Sequence, residues 1–178
     1  MPPVSRLGRQ LQEAIACLER AGSSAALIGG LALARYDVIR ATQDVDLLAD
    51  ARRTDDIDRE LAAVGYDCLY RSPDAATYVR GDERVDLLYA SRPAARHLLE
   101  TAVGHQTPLG LVRVVGLEGL IAFKLQGLVN DPRRTQDLED MRALLRANRD
   151  RVNLVQLREY FRLFEREELL DEILKDVP

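Results

Sequence analysis

The sequence predicts an α+β protein: a small mixed sheet flanked by helices, followed by a helical C-terminal region. Three patterns carry this. Short apolar runs bounded by turn residues recur between Ser23 and Val115, apolar residues at helical spacing open the chain, and helical spacing dominates again from Leu117 onward. The expected division is a core over residues 1–116 and a helical region over residues 117–178. No linker rich in Pro, Gly or Ser separates them, so one domain or two remain open.

Leu7, Leu11, Ile15 and Leu18 share one helical face, and Gly22 is the natural stop. Ala25–Ile28, between Ser23-Ser24 and Gly29-Gly30, is too short for a helix and is expected as a buried strand, with a short helix over Leu31–Tyr36. Arg40–Leu48 is expected as a strand with Arg40, Thr42, Asp44 and Asp46 along one face and Val45 and Leu47 on the other. Thr54 is placed as the N-cap of a helix with Ile57, Leu61 and Val64 inward, ended by Gly65. Strands are expected at Asp67–Arg71, Thr77–Arg80 and Arg84–Tyr89, a helix at Pro93–Val103 stopped by Gly104, and a strand at Leu111–Val115. Helices should follow at Leu117–Val129, from a Thr135 cap to about Ala147, and from an Asn153 cap with Leu154, Leu157, Phe161 and Phe164 inward.

Composition removes several classes. With 178 residues, 47% hydrophobic and 30% charged, the chain is long enough and apolar enough to bury a core without disulfides or structural metal. The longest uncharged stretch, Ser23–Ala34, is too short to cross a bilayer, and no basic-then-apolar leader opens the chain, so a cytoplasmic location without membrane contact is expected. Cys17 and Cys68 lack metal or redox spacing and are expected as reduced, buried residues. A net charge of −4 and 5% aromatics with no Trp argue against a general nucleic-acid coat or stacking platform. His97 and His105 have no partner at catalytic or metal spacing, and neither a serine-hydrolase elbow nor a P-loop is present.

Chemistry concentrates in acids. On a strand, Asp44 and Asp46 project from one face about 7 Å apart, suited to a hard cation of the Mg²⁺ or Mn²⁺ kind. An isolated Asp-x-Asp is equally a solvated strand edge. Asp86, between Val85 and Leu87, repeats the pattern of an acid embedded in an apolar strand, and three carboxylates cluster cheaply only around bound cations. Gly29-Gly30, between strand and helix, can let backbone N–H groups approach a phosphate, or can simply permit a tight turn. Lys124 lies on or beside the buried stripe Leu117, Leu120, Ile121, Leu125 and Leu128. It either meets an anion or pairs with Asp137, which with Asp140 flanks the stripe of Leu138, Met141, Leu144 and Leu145. Arg133 and Arg134 could reach phosphates or be solvated.

Taken in order, Leu27-Ile-Gly-Gly30, Asp44-Val-Asp-Leu47 and Val85-Asp-Leu87 resemble the signature of the nucleotidyltransferase superfamily with the polymerase-beta-like fold. Arg40-Ala-Thr-Gln-Asp-Val-Asp46 further resembles a motif of the abortive-infection (AbiEii-like) nucleotidyltransferase toxins of type IV toxin-antitoxin systems. Leu120-Ile-Ala-Phe-Lys124 followed by Arg133-Arg-Thr-Gln-Asp-Leu-Glu-Asp140 is similar to their later motif. The resemblance spans about Leu27–Leu145.

It implies Mg²⁺- or Mn²⁺-dependent transfer of a nucleoside monophosphate from an NTP to an acceptor hydroxyl. Asp44, Asp46 and Asp86 would be catalytic metal ligands, with Asp86 activating the acceptor. Gly29, Gly30, Arg40, Thr42, Lys124 and Asp137 would lie on the nucleotide side. The implied acceptors are an RNA end such as tRNA or a protein side chain, with an antitoxin partner and self-association both open. Gly30 stands where many relatives carry Ser, and Gln136 where a basic residue commonly precedes the Asp. The alternatives are a nucleotidyltransferase-fold protein that binds or regulates without catalysis, and a glycosyltransferase using Asp-x-Asp, which the short chain and early glycine turn disfavour.

Overall fold

The computed structural model describes residues 5–177. Two compact units are present: one comprises the residues up to Leu31 with Ala41–Val115, the other Ala32–Arg40 with the residues from Gly116 onward.

The first unit is built on a seven-stranded mixed sheet of order β3-β4-β5-β2-β1-β7-β6. Its strands are β1 (Ala25–Leu27), β2 (Val45–Ala49), β3 (Asp67–Arg71), β4 (Ala75–Arg80), β5 (Glu83–Tyr89), β6 (Val103–Thr107) and β7 (Gly110–Val114). The pairs β2–β5 and β1–β7 are parallel and the other neighbours antiparallel. Helix α1 (Arg6–Arg20) packs against β1, β2 and α3 (Thr54–Ala63), and α3 also against β3. Ser5 caps α1 by accepting from the Gly8 N–H at 3.0 Å, and Gly22 follows its end at φ 70°. The buried face of α1 is Leu11, Ala14, Cys17 and Leu18; Leu7 and Ile15 are half-buried, so the stripe is rotated toward the smaller residues.

The register of β2 on β5 organises the sheet. Val45, Leu47 and Ala49 lie opposite Val85, Leu87 and Tyr89, and all six are buried. Alternation sends Asp46 and Asp86 to the other face.

In the second unit, α5 (Leu117–Asn130) packs on α6 (Thr135–Ala147) and α7 (Leu154–Leu163), while α8 (Glu167–Asp176) packs on α6 and α7. Asn153 caps α7, accepting from the Gln156 N–H at 3.1 Å. Asn148, past the end of α6, donates from Nδ2 to the Tyr36 and Leu144 carbonyls, both at 2.8 Å, tying the 3-10 turn Leu33–Tyr36 to α6.

Several expectations are corrected. The strand expected from Arg40 begins only at Val45, so residues 40–44 lie outside β2. The helix expected from Leu31 begins at Gly29 as the four-residue α2 (Gly29–Ala32) and continues as the 3-10 turn. Thr54 is already helical because Asp50 caps the preceding turn Ala51–Arg53, accepting from the Arg52 N–H at 2.9 Å. Thr135 is likewise the first helical residue rather than the cap. Helix α4 (Pro93–Glu100) ends before Gly104, which instead lies in β6 opposite Arg113. Arg113 reaches the Leu99 carbonyl at 2.7 Å and the Glu100 and Ala102 carbonyls at 3.3 Å, closing the helix end. Cys68 is exposed on edge strand β3, whereas Cys17 is buried, and both thiols are free. Leu154 is exposed and Phe164 half-buried, leaving Leu157 and Phe161 as the inward residues of α7.

Leu47→Ala should cost about 2–5 kcal/mol, since the side chain is fully buried between partner strands. Urea denaturation with an unchanged slope measures it, and a loss below about 1 kcal/mol would show that this ladder does not hold the sheet.

Candidate active site

Two clusters of charged side chains emerge, one in each unit. In the sheet unit, strand pairing assembles the acids. Asp46 and Asp86 are direct partners across β2 and β5, and Asp86 is in turn opposite Thr77 on β4. Residues in register share a face, so Thr77, Asp86 and Asp46 form one row across three strands. Asp44 lies immediately before β2, and its charge acts on Arg84.

The row ends at β1. The Ile28 N–H donates to the Asp46 carbonyl at 3.0 Å, bringing Gly29 against the Asp46 side chain. A Cβ on Gly29 would stand 2.0 Å from Asp46 Oδ2 and 2.4 Å from Cγ, and its φ of 65° is left-handed. Gly29 is thus required twice: for its backbone conformation and to make room for a carboxylate. Gly30 follows it, buried, in α2.

Asp86 is firmly held. Thr77 Oγ1 donates to its Oδ1 at 2.5 Å, while Arg84 Nε and Nη2 reach Oδ2 and Oδ1 at 2.7 and 3.1 Å. The hydrogen bond to Asp86, opposed by desolvation and reinforced by the charges of Asp86, Asp44 and Asp46, pushes the Arg84 guanidinium above its ordinary value. All three acids therefore act on one basic group. Asp44, Asp46 and Asp86 are half-buried.

Among the described residues no group of three or more His, Cys, Asp or Glu side chains is arranged to hold a metal ion, and Asp86 is turned onto Arg84 and Thr77. The donor set nevertheless suits a hard divalent cation: all are carboxylates, one is cradled on a glycine, and a guanidinium's positive charge is already drawn in. Mg²⁺ needs only one or two protein carboxylates when substrate phosphates complete its shell.

The second cluster belongs to the helical unit. Lys124 is 6% exposed, and its Nζ lies 3.0 Å from Asp137 and 2.7 Å from Asp140. Asp137 also accepts from Arg134 at 2.6 Å, and Asp140 from Gln136 at 3.0 Å and Arg40 at 2.9 Å. A Cβ on Gly127 would stand 2.6 Å from Asp137 Oδ2, so this glycine admits the buried acid. Asp137 and Asp140 lie within the buried stripe of α6 rather than flanking it, and Leu138 is half-buried.

Of the residues expected to form one site, the structure gathers Gly29, Asp44, Asp46 and Asp86 in the sheet unit, with Thr42 half-buried two residues before Asp44. Arg40, Lys124 and Asp137 join the helical cluster, where the ammonium faces carboxylates. Of the loop arginines, Arg134 also turns to Asp137, and exposed Arg133 pairs with Asp131 at 2.9 Å. Thr77 and Arg84 escaped the sequence reading. Arg84's signal was its place two residues before a strand acid, which puts both on one face.

Lys124→Met should cost about 3–5 kcal/mol, because it removes the buried cation that two buried carboxylates share. Denaturation of the full chain measures this, and a neutral outcome would show that the acids protonate or find water. Burial raises the Asp140 carboxyl, but Lys124, Gln136 and Arg40 outweigh it and hold the group below its usual range. A carboxyl depressed in the folded state stabilises the fold above its unfolded pKa near about 4 and loses that contribution as pH falls through the folded value. Unfolding midpoints from pH 6 down to 3 should therefore fall less steeply in Asp140→Asn than in the wild type.

The architecture is that of nucleotidyltransferases. The chain is similar in structure to the antibiotic-resistance factor ANT(2'')-Ia in solution, at 15% identity over 93% of this chain and 94% of that one, with a TM-score of 0.66. A crystal structure of ANT(2'')-Ia in complex with adenylyl-2''-tobramycin gives a TM-score of 0.65 at 15% identity over 90% and 98% of the two chains. An antigenic nucleotidyltransferase-like protein from Paracoccidioides brasiliensis is 17% identical over 95% and 92%, with a TM-score of 0.56. The lincomycin-bound lincosamide adenylyltransferase LnuA is 14% identical over 79% and 96%, with a TM-score of 0.53. No protein-family model matches the chain, and no curated protein matches it in sequence. Among the described residues no helix is long and apolar enough to cross a membrane.

Proposed function

We propose that the protein transfers a nucleoside monophosphate from an NTP to an acceptor hydroxyl and releases pyrophosphate. The supporting observation is the Asp46–Asp86 pairing beside Gly29: acids remote in sequence share one row with a glycine that leaves space for a carboxylate. In the transfer, the acceptor oxygen forms a bond to the α-phosphorus, the bond from that phosphorus to the pyrophosphate oxygen breaks, and the acceptor's proton passes to Asp86.

Asp44 and Asp46, with Asp86 shared, would hold Mg²⁺ or Mn²⁺, which neutralises charge on the triphosphate and the leaving group. The chain's own contribution is positioning. Thr77 fixes one oxygen of Asp86, the ladder fixes its height against Asp46, and Gly29-Gly30 with Thr42 forms the nucleotide side. Arg40, Lys124 and Asp137 form the charged framework of the helical unit.

The finer assignment follows the motifs around Arg40–Asp46 and Lys124–Asp140. It is a cytoplasmic AbiEii-like toxin of a toxin-antitoxin pair, modifying an RNA end such as tRNA or a protein hydroxyl and restrained by an antitoxin. A second acceptor class, small hydroxylated antibiotics, is favoured by the nucleotidyltransferases that share the fold: one was captured with adenylyl-2''-tobramycin and another with lincomycin.

Incubation with each labelled NTP and Mg²⁺ in the presence of total RNA, total protein or a panel of aminoglycosides and lincosamides tests both. Label should move to one acceptor class, and Asp44→Asn or Asp46→Asn should reduce it by about 10²–10³-fold with the fold intact. Equal labelling by the variants would remove the proposal. Stabilisation by Mg²⁺-NTP without label transfer to any acceptor would instead identify a binding or regulatory protein of the same fold.

A further inference from the structure

Arg84 is paired with Asp86 and feels the charges of Asp44 and Asp46, and its geometry is that of a competitor. Its guanidinium forms a two-toothed fork on Asp86, at 2.7 and 3.1 Å, so both oxygens of the third acid are engaged. Asp46 on β2 and Asp44 just before it add attraction. The backbone beneath is anchored, since the buried Gln10 donates from Nε2 to the Arg84 carbonyl at 2.8 Å. The side chain is less confined: 48% of it is exposed, against 27% for Asp86. A fixed Cα and a half-exposed head describe a group that can leave the acids without disturbing the strand, while Thr77 keeps Asp86 in place.

We propose that Arg84 is the resident counter-cation of the acid row, which a divalent ion must displace from Asp86, so that Arg84 sets metal affinity and holds the third acid in position until the ion enters. This rests on the metal-dependent reading above. Guanidinium and metal ion carry like charge and seek the same oxygens, so each weakens the other's hold. Arg84 is a positioning residue here: it acts on the third acid and touches no reacting atom.

The test is Mn²⁺ titration of the nucleotide-free full chain, followed by the loss of the free-ion paramagnetic resonance signal, in the wild type, Arg84→Gln, Arg84→Lys and Asp46→Asn. Arg84→Gln should bind Mn²⁺ about ten- to a hundredfold more tightly, the order expected for removing one unit charge a few ångströms away. Arg84→Lys keeps the charge but loses the fork, and should bind a few-fold more tightly. In metal-free thermal melts Arg84→Gln should unfold at a lower temperature than the wild type, and adding Asp86→Asn should remove most of that difference.

Wild-type binding that is lost in Asp46→Asn but unchanged or weakened in both Arg84 variants would overturn the role of Arg84 and leave the metal reading standing. Absence of Mn²⁺ binding in every form, at millimolar ion, would overturn the metal reading and this proposal together. Arg84→Lys serves if Arg84→Gln fails to fold.

Discussion

Parallel pairing of β2 with β5 is the constraint on which the candidate site depends. Between these strands the chain makes α3, β3 and β4, so nothing local brings Asp46 to Asp86. What does is apolar: Val45, Leu47 and Ala49 against Val85, Leu87 and Tyr89, six buried side chains on the face opposite the acids. Because side chains alternate, a slip of one residue on either strand would bury an acid and expose a core residue. The cost of that exchange fixes the register, and the register fixes the carboxylates. Burial energy on one face of the sheet is thereby converted into geometry on the other.

Gly29 sets the boundary of the same arrangement. Antiparallel pairing of β1 with β2 delivers the chain to Asp46, and the next step requires a left-handed backbone with no Cβ. In sequence, the paired glycines look like a phosphate loop, and in structure Gly29 first accommodates the acid. These uses are compatible, since the absence of a side chain that admits the Asp46 carboxylate also leaves backbone open beside it. The four-residue α2 that follows is too short to supply much dipole, so the electrostatic character of this corner comes from the acids and Arg84.

Much of this was legible in the sequence because its signals are local. Ala25–Leu27 and the apolar alternation around Asp86 announced strands, and Gly22 and Asn153 announced helix ends. Extrapolation failed where a long-range partner decides. Arg40, Thr42 and Asp44 read as one strand face, but the Arg40 side chain is taken by Asp140, a hundred residues later, and β2 begins only at Val45. Gly104 resembled a helix stop until β7 supplied a hydrogen-bonded partner and Arg113 sealed α4 from the side. Lys124 was recognisably out of place among apolar residues. The periodicity could not say whether an anion or a protein carboxylate awaited it, since both present oxygen at the same distance.

The two charged clusters show why acids of one residue type have different uses. Asp137 and Asp140 are nearly inaccessible, with Lys124 donating to both, Arg134 to Asp137, and Arg40 and Gln136 to Asp140; such a network holds helices together and has little affinity left for an added cation. Asp44, Asp46 and Asp86 are half-buried, and one guanidinium is drawn toward all three. Excess negative charge kept at a site reached by solvent is costly to folding, so its retention calls for a compensating ligand of opposite sign. Lys124 meets its acids in a buried setting, whereas Arg84 meets Asp86 with about half of its side chain exposed. The contrast between the two clusters is one of burial: the helical acids are closed off around an ammonium, while the sheet acids remain half-buried beside an exposed guanidinium.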